Sequence, residues 1–469
     1  MAERRDDLSK PRTTTDLPRR DFLRLSLGGA ALLAGCGDDE IGDSASAGTS
    51  GSTGETTGGS GGASTSNGTS ETSGGASESA GSTTGDGTST GDPSTSGSSG
   101  DTSTTAVDTA TSGTTTEGDT TTGDELCAGE VIAFDPEAIP LDDETFPLAV
   151  MAGEMKPTSI MVTVFIADGA PKTLRIWRKS QEDGFVELIH EAPMIPTPEG
   201  YAKLAVEGLC PGTWYYYGFF AGDPDAFTGR SIIGEVRTAI ADDALETLTI
   251  AMTACNGSSL DWPALEVTAD EYYDVFIHLG DMAYNDGAET LEEYRASWKK
   301  YLSVAGFKLA YARAGLYATW DDHEIDDNSN FDRETMDPQE LQRRQNAMDA
   351  YFELVPIDAE GPSYRLWRSF RWGMTAEIIV LDCRYERRPS QKLYISALQM
   401  MFLKDRLLNS PCHFKIVMNS VPITNMPLPW DIAANDRWEG YPGQRKEVMD
   451  FITQNDITNV WFLSGDFHV

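Results

Sequence analysis

Positive charge is what this chain has least of. It carries 36 lysines and arginines against 74 acidic residues, a net charge of −38. Nonspecific nucleic-acid binding needs a basic surface, so no nucleic-acid partner is expected. The same acidity would repel a phosphate-bearing substrate unless something positive sits in the site, and bound metal ions would serve. Between Leu25 and Met155 there is no lysine or arginine at all. Residues 37–126 within that gap are dominated by Ser, Thr and Gly. Such a segment cannot bury enough apolar surface to offset its ordering entropy, so a disordered linker is expected, acting as a flexible tether.

What is present begins with a targeting segment at residues 1–36. Arg19 and Arg20 precede Phe22 and Leu23, and an apolar run follows that is too short to span a bilayer comfortably. The pattern resembles a twin-arginine export signal. Leu33-Ala34-Gly35-Cys36 is similar to a bacterial lipoprotein box, which implies a lipid on Cys36 and a periplasmic or cell-surface protein held to the membrane. An ordinary cleaved secretory signal is the other reading. Of the remaining cysteines, Cys127 and Cys210 bracket one candidate domain and are expected to pair in an oxidising compartment. Two unpaired thiols are the alternative.

At 469 residues the chain has room for about two to four domains. From 127 to 241 the pattern is β. "SIMVTVFIA", "TLRIWRK", "FVELIHE", "YAKLAVEGL" and "TWYYYGFFAG" are short, alternating runs separated by Gly, Pro and Asp, as in an immunoglobulin- or fibronectin-like sandwich. From 242 to 469 the rhythm changes. The runs "ETLTIAMTAC", "YDVFIHLGD", "GLYATWDDH", "AEIIVLDCR", "FKIVMNSV" and "ITNVWFLSGDFH" alternate with amphipathic helices. One helix, "DPQELQRRQNAMDAYFELV", has Asp337 as N-cap, Pro338 in its first turn and Glu340 three residues after the cap. This is an α/β domain.

The polar residues cluster where each apolar run ends: Cys255-Asn256, Asp281 with Tyr284 beyond, Asp321-Asp322-His323, Asp382 with Arg384 beyond, Asn419, then Asp466 and His468. Ligands of α/β sheets bind outside the carboxyl ends of the strands. Solvated turns account poorly for six such endings in succession. Asp382 taken alone reads equally well as a turn residue, Asp326 and Asp327 read as a solvated turn, and Asn328 is ambiguous between a turn and a supporting role.

These residues, in the order "GD…WDDHE…LDCR…NSVP…SGDFH" with "GYPGQR" between, resemble the PhoD-like alkaline phosphatase family of the calcineurin-like metallophosphoesterases. The likeness spans roughly 146–469. It implies an αββα metallophosphoesterase sandwich behind a small β-sandwich, hydrolysing phosphate mono- and diesters. It further implies metal ligation by Cys255, Asp281, Tyr284, Asp322, Asn419, Asp466 and His468, with His323 and Arg384 as catalytic residues. Asp281 resembles the bridging carboxylate, and His323 the residue that protonates the leaving group. Asn256 and Cys383 stand where the family commonly has Gln and Thr. The chain ends at Val469, where the family usually continues with strands and a helix, so a catalytic domain truncated at its C-terminus is expected.

Two close metals can bind the ester's oxygens, lower the pKa of a bridging water and orient in-line attack. A thiolate and a phenolate would stabilise ferric iron, and carboxylates suit calcium, magnesium or manganese. The resemblance favours iron with calcium. A monomer is expected. Two other readings stay open on the residues alone. A metal-free carboxylate hydrolase explains Asp321 and Asp322 but leaves Cys255, Tyr284 and His468 without roles. A tethered binding protein on a degenerate phosphatase fold is the other.

Overall fold

The computed structural model describes residues 127–257, 262–326, 337–358, 364–425 and 436–466. The expected signal (1–36) and linker (37–126) lie outside the described residues, as do Asp327, Asn328 and His468. The chain is a mixed α/β protein. No helix among the described residues is long and apolar enough to cross a membrane.

An antiparallel sheet comes first in the chain. It comprises β1 (Glu130–Ala133), β4 (Lys172–Lys179), β5 (Phe185–Met194), β7 (Trp214–Asp223), β8 (Ala226–Arg230) and β9 (Gly234–Arg237), in the order β1-β5-β4-β7-β8 with β9 also on β7. The expected Cys127–Cys210 disulfide is formed, with 5.6 Å between the Cα atoms.

The second sheet is mixed. β10 (Ile250–Thr253), β11 (Val275–His278) and β12 (Gly315–Ala318) run parallel, and β2 (Met151–Gly153), β3 (Ser159–Phe165) and β6 (Tyr201–Glu207) continue the same sheet beyond β12. Strands from both sides of the expected boundary at 241/242 therefore share one sheet. Other bonds cross the same line. Ala149 N–H donates to Leu302 O at 2.8 Å, and the Tyr317 hydroxyl donates to Met155 O at 2.6 Å. Lys203 Nζ donates to Val355 O (2.7 Å), Ile357 O (2.9 Å) and Phe352 O.

The third sheet is β13-β14-β15-β16: β13 (Arg368–Trp372), β14 (Ala376–Val380), β15 (Phe414–Met418) and β16 (Val460–Leu463). The last three are parallel. Helices α1 (Pro263–Thr268), α2 (Leu291–Leu302), α3 (Ala305–Arg313), α4 (Pro338–Leu354), α5 (Ala397–Asn409) and α6 (Pro442–Gln454) connect the strands. Alternation along the strands sorts the layers. Phe276, Leu316 and Ala318 pack with residues of α2, α3 and α4, while Val275, Ile277 and Tyr317 face a core shared with Ile378, Val380 and Met418 of the third sheet. Ile379, Leu381 and Val417 turn the other way, towards α5 and α6. The order is thus helices, sheet, sheet, helices.

Helix starts follow local chemistry. Asp337 accepts from Gln339 N–H at 3.0 Å, with Pro338 in the first turn. Glu340 pairs with Arg344 at 2.9 Å instead of completing a capping box. At α2 a full box is formed by Thr290 and Glu293.

Candidate active site

The carboxyl ends of the two parallel strand sets are tied together. Thr319 donates to Leu381 O at 2.8 Å, Gly465 N–H to Ser420 O at 2.8 Å, and Asp466 N–H to Cys255 Sγ at 3.1 Å. These bonds join the loops after β12 and β14 and those after β10, β15 and β16, and Cys255 N–H donating to Gly280 O at 3.1 Å brings in the loop after β11. Cys255 (φ 49°), Asp281 (φ 57°) and Asp466 (φ 50°) all adopt left-handed backbone, which is strained for residues with a Cβ. Gly280 cannot be replaced without displacement: a Cβ there would lie 2.5 Å from that of Asp321.

Asp281, Asp321 and Asp322 are buried together. Ligand atoms of Asp281, Asp322 and His323 lie within 4.8 Å of one another, and so do those of Asp321, Asp322 and Asp466. Asp281 Oδ1 accepts from His323 N–H at 3.3 Å, whereas among the described residues its Oδ2 accepts no hydrogen bond, and Asp321 Oδ2 accepts none either. Burial, then the neighbouring charges of Asp322 and Asp321, hold the Asp281 carboxyl well above the usual range. Burial and Asp321 do the same to Asp466, against the pull of Arg384. Burial raises Asp321 to about 6 despite Arg384. Buried carboxylates with orphaned oxygens form a donor set that fits cations, and Cys255 falls in neither grouping.

Arg384 lies among these carboxylates, fully buried. Nε donates to Asp321 Oδ1, Nη1 to Asp436 Oδ1 at 2.6 Å, and Nη2 lies 3.3 Å from Asp322 Oδ1 and 3.0 Å from Asp466 Oδ2. Arg387 also holds Asp436, at 2.7 Å. Burial opposes ionisation of Asp436, but the two arginines outweigh it and lower the carboxyl to about 2.

His323 Nδ1 is 2.8 Å from Asp286 Oδ1, and its ring lies 4.0 Å from that of Tyr284, centroid to centroid. Burial would lower the imidazole pKa, but Asp286, Asp281 and Asp322 together raise it to about 10. Glu324, also buried, accepts from the backbone N–H of Asp321 (2.8 Å), Asp281 (3.0 Å) and Met282 (2.6 Å). One carboxylate thereby locks the loops after β11 and β12 to each other. His278 joins the loops after β10 and β11: its Nδ1 accepts from Gly280 N–H at 3.3 Å, and its Nε2 is 2.8 Å from the Asn256 amide.

Not every strand-end residue joins the carboxylates. Asp382 Oδ1 accepts from Trp320 Nε1 and from two backbone amides of its own turn, which is the turn role left open for it. Asn419 Oδ1 accepts from Trp438 Nε1 (2.8 Å) and the Cys383 thiol (3.0 Å), and its amide nitrogen donates to Val421 O. Both ends of that amide are committed to the protein. Asp326 pairs with Arg343 at 2.6 Å and accepts from Gly287 N–H, so it is an anchor, not only a solvated turn. Asp286, Glu324, Arg387 and Asp436 received no role from sequence. Glu324 was within sight, being the last residue of Trp-Asp-Asp-His-Glu.

Residues 250–469 match the model of the PhoD-like phosphatase family. The alkaline phosphatase D of Bacillus subtilis (strain 168) is 27% identical over 402 residues, covering 73% of this chain and 67% of that relative. A solved structure of PhoD is 25% identical and superposes with a TM-score of 0.62, covering 69% of this chain and 72% of that one.

Proposed function

We propose how this chain, which over residues 250–469 is a PhoD-like phosphatase, carries out its hydrolysis: as a metal-dependent enzyme acting on phosphate mono- and diesters. The observation that carries metal dependence is the pair of donor groupings sharing Asp322, with buried oxygens of Asp281 and Asp321 that accept nothing among the described residues. Such oxygens are costly unless a cation meets them.

Cys255, Asp281 and Tyr284 would hold one ion, and Asp322 and Asp466 a second. Asn419 and His468 enter by resemblance only. The thiolate and phenolate favour ferric iron and the carboxylates calcium. When bound, the pair supplies charge neutralisation of the ester and a water acidic enough to attack in line. The chain's own residues do the rest. Glu324 holds Asp281 and Asp321 in register through their backbone amides. His323, oriented by Asp286 at Nδ1, presents Nε2 to the leaving oxygen and protonates it. Arg384 holds the Asp321 carboxylate in place.

The helix–sheet–sheet–helix layering supports the finer reading of the fold as an αββα metallophosphoesterase sandwich. The Tyr215 hydroxyl accepts from Cys210 N–H at 2.7 Å, a corner that supports an immunoglobulin- or fibronectin-like sandwich before it. For location we propose twin-arginine export, a lipid on Cys36 and a monomer tethered to the membrane surface.

The test is elemental analysis of protein purified without chelators, beside hydrolysis of an aryl phosphate monoester and diester. Bound iron with a second metal, and activity lost on chelation, is the expected result. A metal-free preparation with full activity would remove the reading.

A further inference from the structure

We propose that Arg384 is an internal counter-cation that makes the two carboxylate groupings unequal. The ion on the Asp281 side is taken first, with His323 left as the proton donor. The grouping of Asp321, Asp322 and Asp466 takes one only as the guanidinium gives up Asp322 and Asp466. The inference rests on the metal reading above and deepens it.

The argument is geometric. The carboxylates that Arg384 contacts are Asp321, Asp322, Asp466 and Asp436. The first three are the whole of the second grouping. Its Nη2 lies 3.3 Å from Asp322 Oδ1 and 3.0 Å from Asp466 Oδ2, so it reaches across oxygens that a cation there would also need. A guanidinium and a metal ion a few ångströms apart repel strongly in a buried site. The two cannot share those oxygens without loss. In the first grouping the arginine reaches only the shared member, Asp322. Asp281 Oδ2 is buried and accepts no hydrogen bond among the described residues, which leaves a ligand oxygen ready.

A place for the guanidinium to go is already built. Nη1 holds Asp436 at 2.6 Å, and Arg387 fixes Asp436 through its carboxylate at 2.7 Å and its carbonyl at 2.8 Å. Pivoting about Asp436 and Asp321 would free Asp322 and Asp466 without unpairing the arginine. The fork of Arg384 suits this, because its donors are separate and planar. Before any metal arrives, the same contacts offset repulsion among four acidic groups.

The test uses the full chain stripped with a chelator and titrated with manganese alone by calorimetry. Wild type, Arg384→Met and Arg384→Lys are compared. Wild type should bind two ions in two steps, the second weaker. Arg384→Met should tighten the second step by on the order of tenfold or more, and change the first step less. The metal-free variant should unfold several degrees lower, with excess manganese restoring most of the difference. If Arg384→Met does not fold without metal, Arg384→Lys, which keeps the charge but loses the fork, should move the second step in the same direction by less. If wild type binds no manganese, the metal reading itself fails. If two ions bind and the second step is unchanged or weakened in both variants, the counter-cation role is wrong while the metal reading stands.

Discussion

Glu324 shows how much of the site depends on a residue with no proposed contact to substrate. Its carboxylate satisfies three backbone amides from two loops. In Glu324→Gln one side-chain oxygen becomes an NH2, which cannot accept, so at least one buried N–H is orphaned. The expected cost is about 1–3 kcal/mol. Urea unfolding of the metal-free protein should show a lower midpoint at unchanged slope; an unmoved midpoint would deny the role. His323 calls for a kinetic measurement instead. His323→Ala should slow hydrolysis of an alkyl ester by about 100- to 10,000-fold, and of an aryl ester with an acidic phenol far less. Equal losses on both substrates, with metal retained, would remove the proton-donor role. His278 bears on acid stability. Burial lowers its pKa from 6.5 to about 3, so the folded state holds it neutral while the unfolded chain protonates below 6.5. The unfolded state then binds more protons, and stability falls as pH falls from about 6.5 towards 3. The loss is about 1.4 kcal/mol per pH unit. His278→Gln should flatten the acid limb of a stability–pH profile by about one proton, and identical profiles would count against this.

Among the elements, α4 ends where Lys203 of β6 receives it. The ammonium donates to carbonyls at and just beyond the helix C-terminus, where cations are favoured. Burial lowers this lysine to about 8, yet Glu154 and other acidic groups pull the other way. Lys203→Met should leave those carbonyls without their donor and cost on the order of 3 kcal/mol. Faster hydrogen exchange confined to the last turn of α4 would report it, and unchanged exchange there would exclude it. The six strands that carry the site were legible because each is a short apolar run ending in polar residues, and a run of that kind has few other solutions. β13 was not legible. Arg368 and Arg371 interrupt its apolar pattern, and Arg368 pairs at 2.7 Å with Glu154, far away in the chain. Asp286 and Asp436 were missed for a related reason. Each lies outside any periodic segment, and what defines it is a partner, His323 or Arg384, that only the folded chain brings close. Asn419 stands at the expected strand end, where Trp438 and Cys383 donate to its amide oxygen, and nothing local in the sequence announces those partners.

At the scale of the molecule, location is tested by Cys36→Ala, which should release the protein from membranes into the soluble fraction. Continued sedimentation with membranes would exclude the lipid anchor. The expected boundary at 241/242 also has a physical outcome. β12 pairs with β2, and β2, β3 and β6 complete the sheet that carries Asp281 and Asp322. A piece spanning 242–469 would expose the β12 edge and the apolar wall that Val150, Ala152 and Val162 now cover. It should be insoluble when expressed alone, whereas a piece from 127 onward should be soluble; a soluble, folded 242–469 would overturn this. The shared sheet thus sets the limits of modularity. The two halves are not interchangeable parts that a recombination event or a cloning scheme could exchange with unrelated partners, since a new front half would have to supply strands in the same register. They must be inherited together, and a change in β2 or β3 reaches the catalytic loops through the strand it pairs with.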